Sequence, residues 1–544
     1  MTPEQHKKFV EKLFEKKSEL MSRQQVIAEN FYPERADFTT PRNLGEEFGI
    51  DLYSSYPILC RRDLADSIGS LMPIEEFEIT TNNEEDLDQE GRQWLERGTK
   101  IQKRAMLDRE AQLDRAKKEG DNDYAAFGQC VISCEYIRPN VALLHRNWHL
   151  RDMVWCTNAY GEVDYKARRD NWFAKDVVDY FPKTVSKAVR ELAEKDPFAE
   201  VKLYHIVCAS RYCEKDADYE VKGQGERFKW VSLYLEDKEC WQLEKVYQHN
   251  GHYAIPRWHT LSQSQYAYSP ASIVALPDAR LIQDMTRVLL TAGEKAVDPP
   301  MLAFSEAIRS DVNMHAGGMT WAEKMSDDRF GDPIKLMAND KSGLPIGLEM
   351  QQDTRAMIRE AFYLNKLTMP QPSKQMTAYE VGQRVSEWVR QSLPLFRPVE
   401  TDYNGAICEM DFELLLHAGA FGPPDDMPAS LSDADVRFKF KTPLREADGA
   451  KKANALMRSR ELLDTVADID RGAVHVVDFR GAYRSAVEGV EIEQRFIRGE
   501  EEVKRLADAD AQQQAADAEL QRVATAAPAV KDLAAAEASM GKAA

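Results

Sequence analysis

With 544 residues, the chain can hold two to four domains or one large elongated subunit, and its 43% hydrophobic content supports a substantial core. A formal net charge of −19 excludes the broad basic surface that grips nucleic acid, but it is compatible with an acidic surface that DNA passes without adhering. Eight scattered cysteines, no apolar run of membrane-span length and a charged, amphipathic Met1–Leu20 segment predict reduced thiols, no signal peptide, no membrane span and synthesis in a cytoplasm.

Thr2-Pro3-Glu4-Gln5 is a helix start, with Thr2 as N-cap, proline at the first helical position and glutamine placed to close a capping box. Phe9, Leu13, Leu20, Ile27 and Phe31 mark one face of that helix, and Pro33 ends it. A second helix is predicted over Pro57–Leu71, with Cys60, Leu64, Ile68 and Leu71 on one side. A third, long and highly charged, is predicted over Glu84–Glu119 and stopped by Gly120.

The pattern changes at Phe127. Gln129–Tyr136 alternates, with Cys130, Ile132, Cys134 and Tyr136 on one face. Strands follow at Val201–Cys208, Phe228–Leu235 and Cys240–Tyr247, the last two forming a hairpin; helices at Ala174–Phe181 and Thr184–Lys195 interrupt them. Phe127–Trp258 therefore reads as an α+β region with an antiparallel sheet.

Helix returns over Leu276–Ala296, with Leu281, Met285, Val288 and Leu289 as its apolar stripe and Asp298-Pro299-Pro300 as its stop. Short strand-like pieces and turns occupy Ala303–Gly347. Gln351–Leu364 is helical, with Ile358 and Phe362 as its apolar positions. Asn365–Gln375 is a polar loop carrying Lys366, Gln371 and Lys374. A helix over Thr377–Arg397 pairs Glu380 with Arg384 at i,i+4, and Pro394 and Pro398 kink it before Asp402–Ala418 continues. Val436–Lys441 is a basic alternating strand, Thr442-Pro443 starts a helical region that runs to about Val523, and Ala524–Ala544 is an Ala-rich tail too poor in bulky residues to order itself.

Chemistry-bearing patterns are sparse. Cys130-x3-Cys134 with His145-x3-His149 has the donors of a zinc site, but the alternating strand makes the cysteines small core residues. Cys208-x4-Cys213 lacks a matched second pair. Walker, dinucleotide-binding and nucleophile-elbow motifs are missing, and His315-Ala316-Gly317-Gly318 reads as a turn. Asp468-Ile-Asp470 and Asp508-Ala-Asp510 could each supply metal carboxylates, but the first reads as a cap or turn and the second as a solvated helix face. No catalytic residue, metal or cofactor is assigned.

Three segments occur in order and at suitable spacing: Leu276-Pro277-Asp278-Ala279-Arg280, Ala296-Val297-Asp298-Pro299-Pro300, and Met376-Thr377-Ala378-x-Glu380-Val381-x-x-Arg384-x-x-Glu387. Together they closely resemble the portal, or head-to-tail connector, proteins of short-tailed, podovirus-type bacteriophages, from the N-terminal helix to about Arg522. Tyr379 stands where the family more often has threonine. The resemblance implies an α+β, mainly helical portal-type fold in closed rings of about twelve subunits. It implies a wing over 1–275, a first stem helix over 276–296, a clip over 297–350 and a second stem helix over 351–364. Beyond these come a channel loop over 365–375, a kinked wing helix over 376–422, a crown over 423–523 and a flexible tail over 524–544.

It further implies a non-enzymatic subunit at one capsid vertex of the virion, through which double-stranded DNA is packaged and ejected. Lys366, Gln371 and Lys374 are the implied DNA-facing loop residues. Leu281, Met285, Val288, Leu289, Ile358 and Phe362 are the stem and ring packing residues, and Thr377, Glu380, Arg384 and Glu387 the wing-helix motif. The implied partners are the packaging ATPase (terminase large subunit), a tail adaptor, scaffold and major capsid proteins, and internal core proteins. Two other readings are a metal-dependent DNA-processing enzyme such as a nuclease, which needs clustered carboxylates or His/Cys ligands, and a coiled-coil scaffold or adaptor, for which the heptads are short and broken.

Overall fold

The computed structural model describes residues 1–43, 45–82, 87–138, 142–213, 229–262, 264–297, 301–303, 334–336, 343–367, 397–423, 426–431 and 435–440, with isolated positions between 384 and 395 and between 457 and 516. The chain divides into two compact units. The first comprises Met1–Glu78, Lys100–Gly422 and Phe438–Ala447; the second comprises Ile79–Thr99, Pro423–Arg437 and Asp448–Ala544.

In the first unit, α1 spans Pro3–Phe31 and starts with the expected capping box between Thr2 and Gln5. Its buried face runs through His6, Val10, Leu13, Lys17, Ile27 and Phe31. Lys17 is fully buried because its ammonium donates to the Met153 carbonyl at 2.6 Å and lies over the Trp155 and Tyr266 rings. Helix α2 (Tyr56–Leu71) buries Cys60, Leu64 and Ile68, as its periodicity requires, and β1 (Phe77–Thr81) follows.

The long charged helix is two helices, α3 (Gln89–Met106) and α4 (Leu113–Phe127). Asp108 caps a short 3-10 turn, and Gln112 adopts a left-handed φ of 51° between them. Gly120 does not end a helix. It lies inside α4, where a Cβ would collide with the Tyr403 hydroxyl, so glycine is required for packing. The stop is Gly128, at φ +72°, where a side chain would also strike the Tyr268–Ser269 backbone.

Strands β2 (Ile132–Arg138), β3 (Ala142–Asn147) and β9 (Tyr253–Ala254) form one antiparallel sheet, in the order β3-β2-β9. Strands β4 (Met153–Thr157), β5 (Val163–Phe173), β6 (Glu200–Ala209), β7 (Trp230–Glu236) and β8 (Gln242–Gln248) form a five-stranded antiparallel meander in sequence order. One face, with Tyr165, Ala167, Tyr204, Ile206, Cys208, Val231 and Leu233, packs on Val10 and Leu13 of α1. The opposite parity, Val201, Leu203 and Tyr234, packs on α5 (Ala174–Tyr180) and α6 (Lys187–Lys195). Both faces of this sheet are thus covered by helix. The sequence missed β3, β4 and β5. In β5, Lys166 and Arg168 are buried, the first donating to the Gly251 and Tyr253 carbonyls and the second stacked on Trp148 at 3.6 Å, which breaks the apolar alternation a strand reading needs.

After the short pair β10 (His259–Thr260) and β11 (Ala267–Tyr268), α7 runs over Pro270–Val297. It begins six residues before the expected start. The true start signal is Ser269-Pro270, with the Ser269 hydroxyl accepting from Ser272 N at 3.3 Å; Pro277 lies within the helix. Strands β12 (Met301–Ala303) and β13 (Ile334–Leu336) pair antiparallel; the rest of the expected clip lies outside the described residues up to Gly343. There α8 (Gly343–Ala361) begins, eight residues before the expected second stem helix. The short α9 (Leu364–Leu367) follows a left-handed Tyr363 (φ 59°). Pro398 leads into a π-helical turn over Val399–Gly405 and then α10 (Ala406–His417).

In the second unit, Ile79 N donates to Thr99 Oγ1 at 3.0 Å, Asn82 Nδ2 to Asp435 Oδ2 at 2.9 Å, and residues 502–510 are helical. The strand expected over Val436–Lys441 is β14 (Val436–Phe440). Asp508 and Asp510 are exposed on helical backbone, as expected. Asp468, Asp470, His315, Gly317, Gly318 and the 524–544 tail lie outside the described residues.

Candidate functional site: the exposed face of the α7–α8 hairpin

Helices α7 and α8 form an antiparallel hairpin. Gln351 donates to the Thr286 hydroxyl at 2.8 Å, the Thr354 hydroxyl lies 3.9 Å from Met285 Sδ, and Gly347 packs against Leu289. At about 1.5 Å per residue, α7 is about 42 Å long. Its base is anchored in the first unit. Ala271, Ala275, Ala279 and Ile282 are fully buried, and the Gln283 amide clamps the loop before α2, accepting from Tyr53 N and Ser54 N and donating to Ser54 O, each at 2.8 Å.

Six expected packing residues divide three ways. Ile358 and Phe362 are fully buried within their own chain, Phe362 against Phe31 with ring centroids 5.3 Å apart, so they anchor α8 and do not offer a ring-forming surface. Met285 and Leu289 are half-buried and face α8. Leu281 and Val288 point to solvent.

These last two belong to a longer stripe. Val274, Leu281 and Val288 recur every seven residues along α7 and are 62%, 44% and 61% exposed. On α8, Ile346, Met350 and Met357 recur at i, i+4 and i+11 and are likewise exposed. Residues at these spacings share one helix face. Isolated exposed apolar residues need no explanation, but two such stripes on one hairpin make this face a candidate interaction surface. The sequence reading found two of the three residues of the first stripe and none of the second. Starting α7 at Leu276 removed Val274, and placing Ile346 and Met350 in the clip hid their helical spacing from Met357.

Lys366 does not sit in a loop. It is exposed on α9, whose Leu364 and Leu367 are buried, and its ammonium lies 5.6 Å from the Tyr363 ring. Gln371, Lys374, Thr377 and Glu380 lie outside the described residues. Arg384 and Glu387 are helical and exposed.

The zinc-like quartet is not assembled. His149 Nε2 pairs with Asp37 at 2.6 Å, and only Cys134 and His145 come together, directly opposed on β2 and β3. Their third neighbour is Asp411 of α10. His145 Nε2 lies 3.0 and 2.9 Å from the two Asp411 oxygens, and its Nδ1 lies 3.0 Å from the Ala111 carbonyl. Burial disfavours the imidazolium, but the Asp411 charge and hydrogen bond, with the Ala111 bond, outweigh it and push the His145 pKa up. This is a satisfied, buried ion pair.

A model of the bacteriophage head to tail connecting protein family matches residues 4–497. The chain belongs to that family, a class of phage structural connectors. It is 23% identical over 307 residues to a protein of Bordetella phage BPP-1 described as "Probable portal protein"; the match covers 53% of this chain and 53% of that relative, about half the length of each. Among solved structures, a chain from the virion of a native gene transfer agent particle aligns with a TM-score of 0.32 and 10% identity, covering 74% of this chain and 85% of that one. No helix among the described residues is long and apolar enough to cross a membrane.

Proposed function

We propose that this chain is a structural portal subunit. Copies close into a ring at one capsid vertex of the virion, and double-stranded DNA is packaged and ejected through its centre. The observation that carries the reading is the pair of exposed apolar stripes on the α7–α8 hairpin. In a heterologous ring contact, two different surfaces of neighbouring subunits meet and rotation closes the set. The Val274–Leu281–Val288 stripe of one copy would meet the Ile346–Met350–Met357 stripe of the next. The charge of −19 per chain makes such a ring strongly negative, which weakens adhesion of passing phosphate backbones. Lys366, Gln371 and Lys374 would provide local DNA contacts at the inner wall. The clip would dock the packaging ATPase and later the tail adaptor, and the outer parts would meet scaffold and major capsid proteins.

The test is particle mass with electron microscopy of the purified full chain, alone and with its scaffold protein. Closed rings with a central hole are expected, at a mass of about twelve chains. A monomer or dimer that persists with scaffold present overturns the proposal. Divalent-metal-dependent DNA cleavage by such a species would favour the nuclease reading.

A further inference from the structure

Cys208 and Cys213 lack a matched second pair in sequence, but the fold brings a distant third donor to them. Cys208 is buried near the end of β6. The chain then makes the 3-10 turn Ser210–Tyr212, which returns Cys213 so that the two Sγ atoms lie 3.6 Å apart. His6, in the second turn of α1 and 1% exposed, lies across the same face of the sheet, and its Nε2 is 3.8 Å from Cys213 Sγ. All three ligand atoms lie within 4.8 Å of one another. The other ring nitrogen of His6, Nδ1, is 3.0 Å from the hydroxyl of buried Tyr165 on β5.

We propose that His6, Cys208 and Cys213 form a binding site for a thiophilic divalent cation of the Zn²⁺ type, which ties the N-terminal helix to the five-stranded sheet. Zinc takes Zn–S bonds of about 2.3 Å and Zn–N bonds of about 2.0–2.1 Å in tetrahedral geometry, which sets sulfur–sulfur edges at about 3.8 Å and sulfur–nitrogen edges at about 3.6 Å. Two edges, 3.6 and 3.8 Å, are close to these values, and the third, from Cys208 Sγ to His6 Nε2, lies within 4.8 Å and closes by side-chain adjustment. Two sulfurs and an imidazole suit a borderline-soft metal over magnesium or calcium. A proton on Nδ1 donated to Tyr165 Oη leaves the Nε2 lone pair directed at the site, as an outer-shell partner of a metal-bound histidine does.

Both cysteines would bind the ion as thiolates, so binding would release their protons to solvent. With three protein ligands, water completes the tetrahedron. The Cys134–His145–Asp411 cluster is the weaker candidate, because both Asp411 oxygens and the Ala111 carbonyl already satisfy the His145 ring.

The experiment uses the full chain, loaded with Zn²⁺ and dialysed against metal-free buffer. Bound zinc is counted by mass spectrometry and its first shell read by X-ray absorption. About one ion per chain is expected, with two sulfurs and at least one nitrogen at the distances above. No retained zinc, or a shell with one sulfur or none, overturns the proposal; one sulfur would place the ion at the Cys134 cluster. Cys213→Ser and His6→Asn, checked for native circular dichroism, should each weaken zinc retention at least tenfold, and undiminished retention in either overturns it. Should both variants fail to fold, the two-sulfur shell of the unaltered protein still decides. None of these readouts depends on ring formation.

Discussion

The triple substitution Val274→Gln, Leu281→Gln and Val288→Gln isolates the proposed subunit contact from the fold. Complete burial of a valine or leucine side chain stabilises by about 1.5–3 kcal/mol, in proportion to the area removed from water. These three are 62%, 44% and 61% exposed, so a neighbour that covers them gains about 1 kcal/mol from each and about 3 kcal/mol per contact. At 1.4 kcal/mol per decade, that is about a hundredfold in the association constant of each contact. Every subunit in a closed ring makes two such contacts, so assembly should shift further still. The isolated chain should scarcely notice, since exposed substitutions usually stay within about 0.5 kcal/mol and glutamine favours helix over valine. Sedimentation velocity over a concentration series, with circular dichroism as the folding control, reads both effects. A variant that keeps native helicity and thermal midpoint yet assembles at the same concentration as the unaltered chain would refute the assignment of this stripe to the interface.

Phe362→Ala empties a fully buried site against Phe31 and should lower unfolding free energy by about 3–5 kcal/mol in denaturant titration; a loss under about 1 kcal/mol would show that α8 is not anchored there. Gly128→Ala combines a positive φ of 72° with a clash against the Tyr268–Ser269 backbone, and about 2–4 kcal/mol of destabilisation is expected. His252 is buried, and desolvation, which outweighs the pull of Glu135, lowers its pKa to about 4. Because the folded value lies below the unfolded one of about 6.5, its contribution is complete above pH about 6.5 and is lost as pH falls towards 4, by about 3 kcal/mol in full. His252→Asn, which tolerates the left-handed backbone at φ 57°, should flatten this limb when denaturant midpoints at pH 7 and 5 are compared; an unchanged limb would clear His252 of responsibility. Lys366→Ala with Lys374→Ala should leave ring size unchanged and reduce DNA retained in heads, and a full genome content in that double variant would count against DNA contact by these lysines.

What could be read from the sequence is what repeats locally. The Thr2–Gln5 capping box, the Cys60–Leu64–Ile68 face of α2 and the alternation of β6 and β7 each involve residues a few positions apart on one element, where backbone geometry alone sets which side chains are neighbours. The family was legible for a related reason, because its short segments keep their order and spacing along the chain, and the family match over residues 4–497 agrees. Tertiary packing decided the rest. The charged helix breaks at Asp108–Gln112 although its charge pattern continues, β5 is a strand although it carries Lys166 and Arg168, and α7 accommodates Pro277 because its buried alanines and the Ser269 cap hold both sides of it. Lys366 lies on a helix because Leu364 and Leu367 find a core that its local polarity conceals. The plainest case is His6, 207 positions from the cysteine it faces. No spacing rule reaches that far, and only the packing of α1 across the sheet brings the two together.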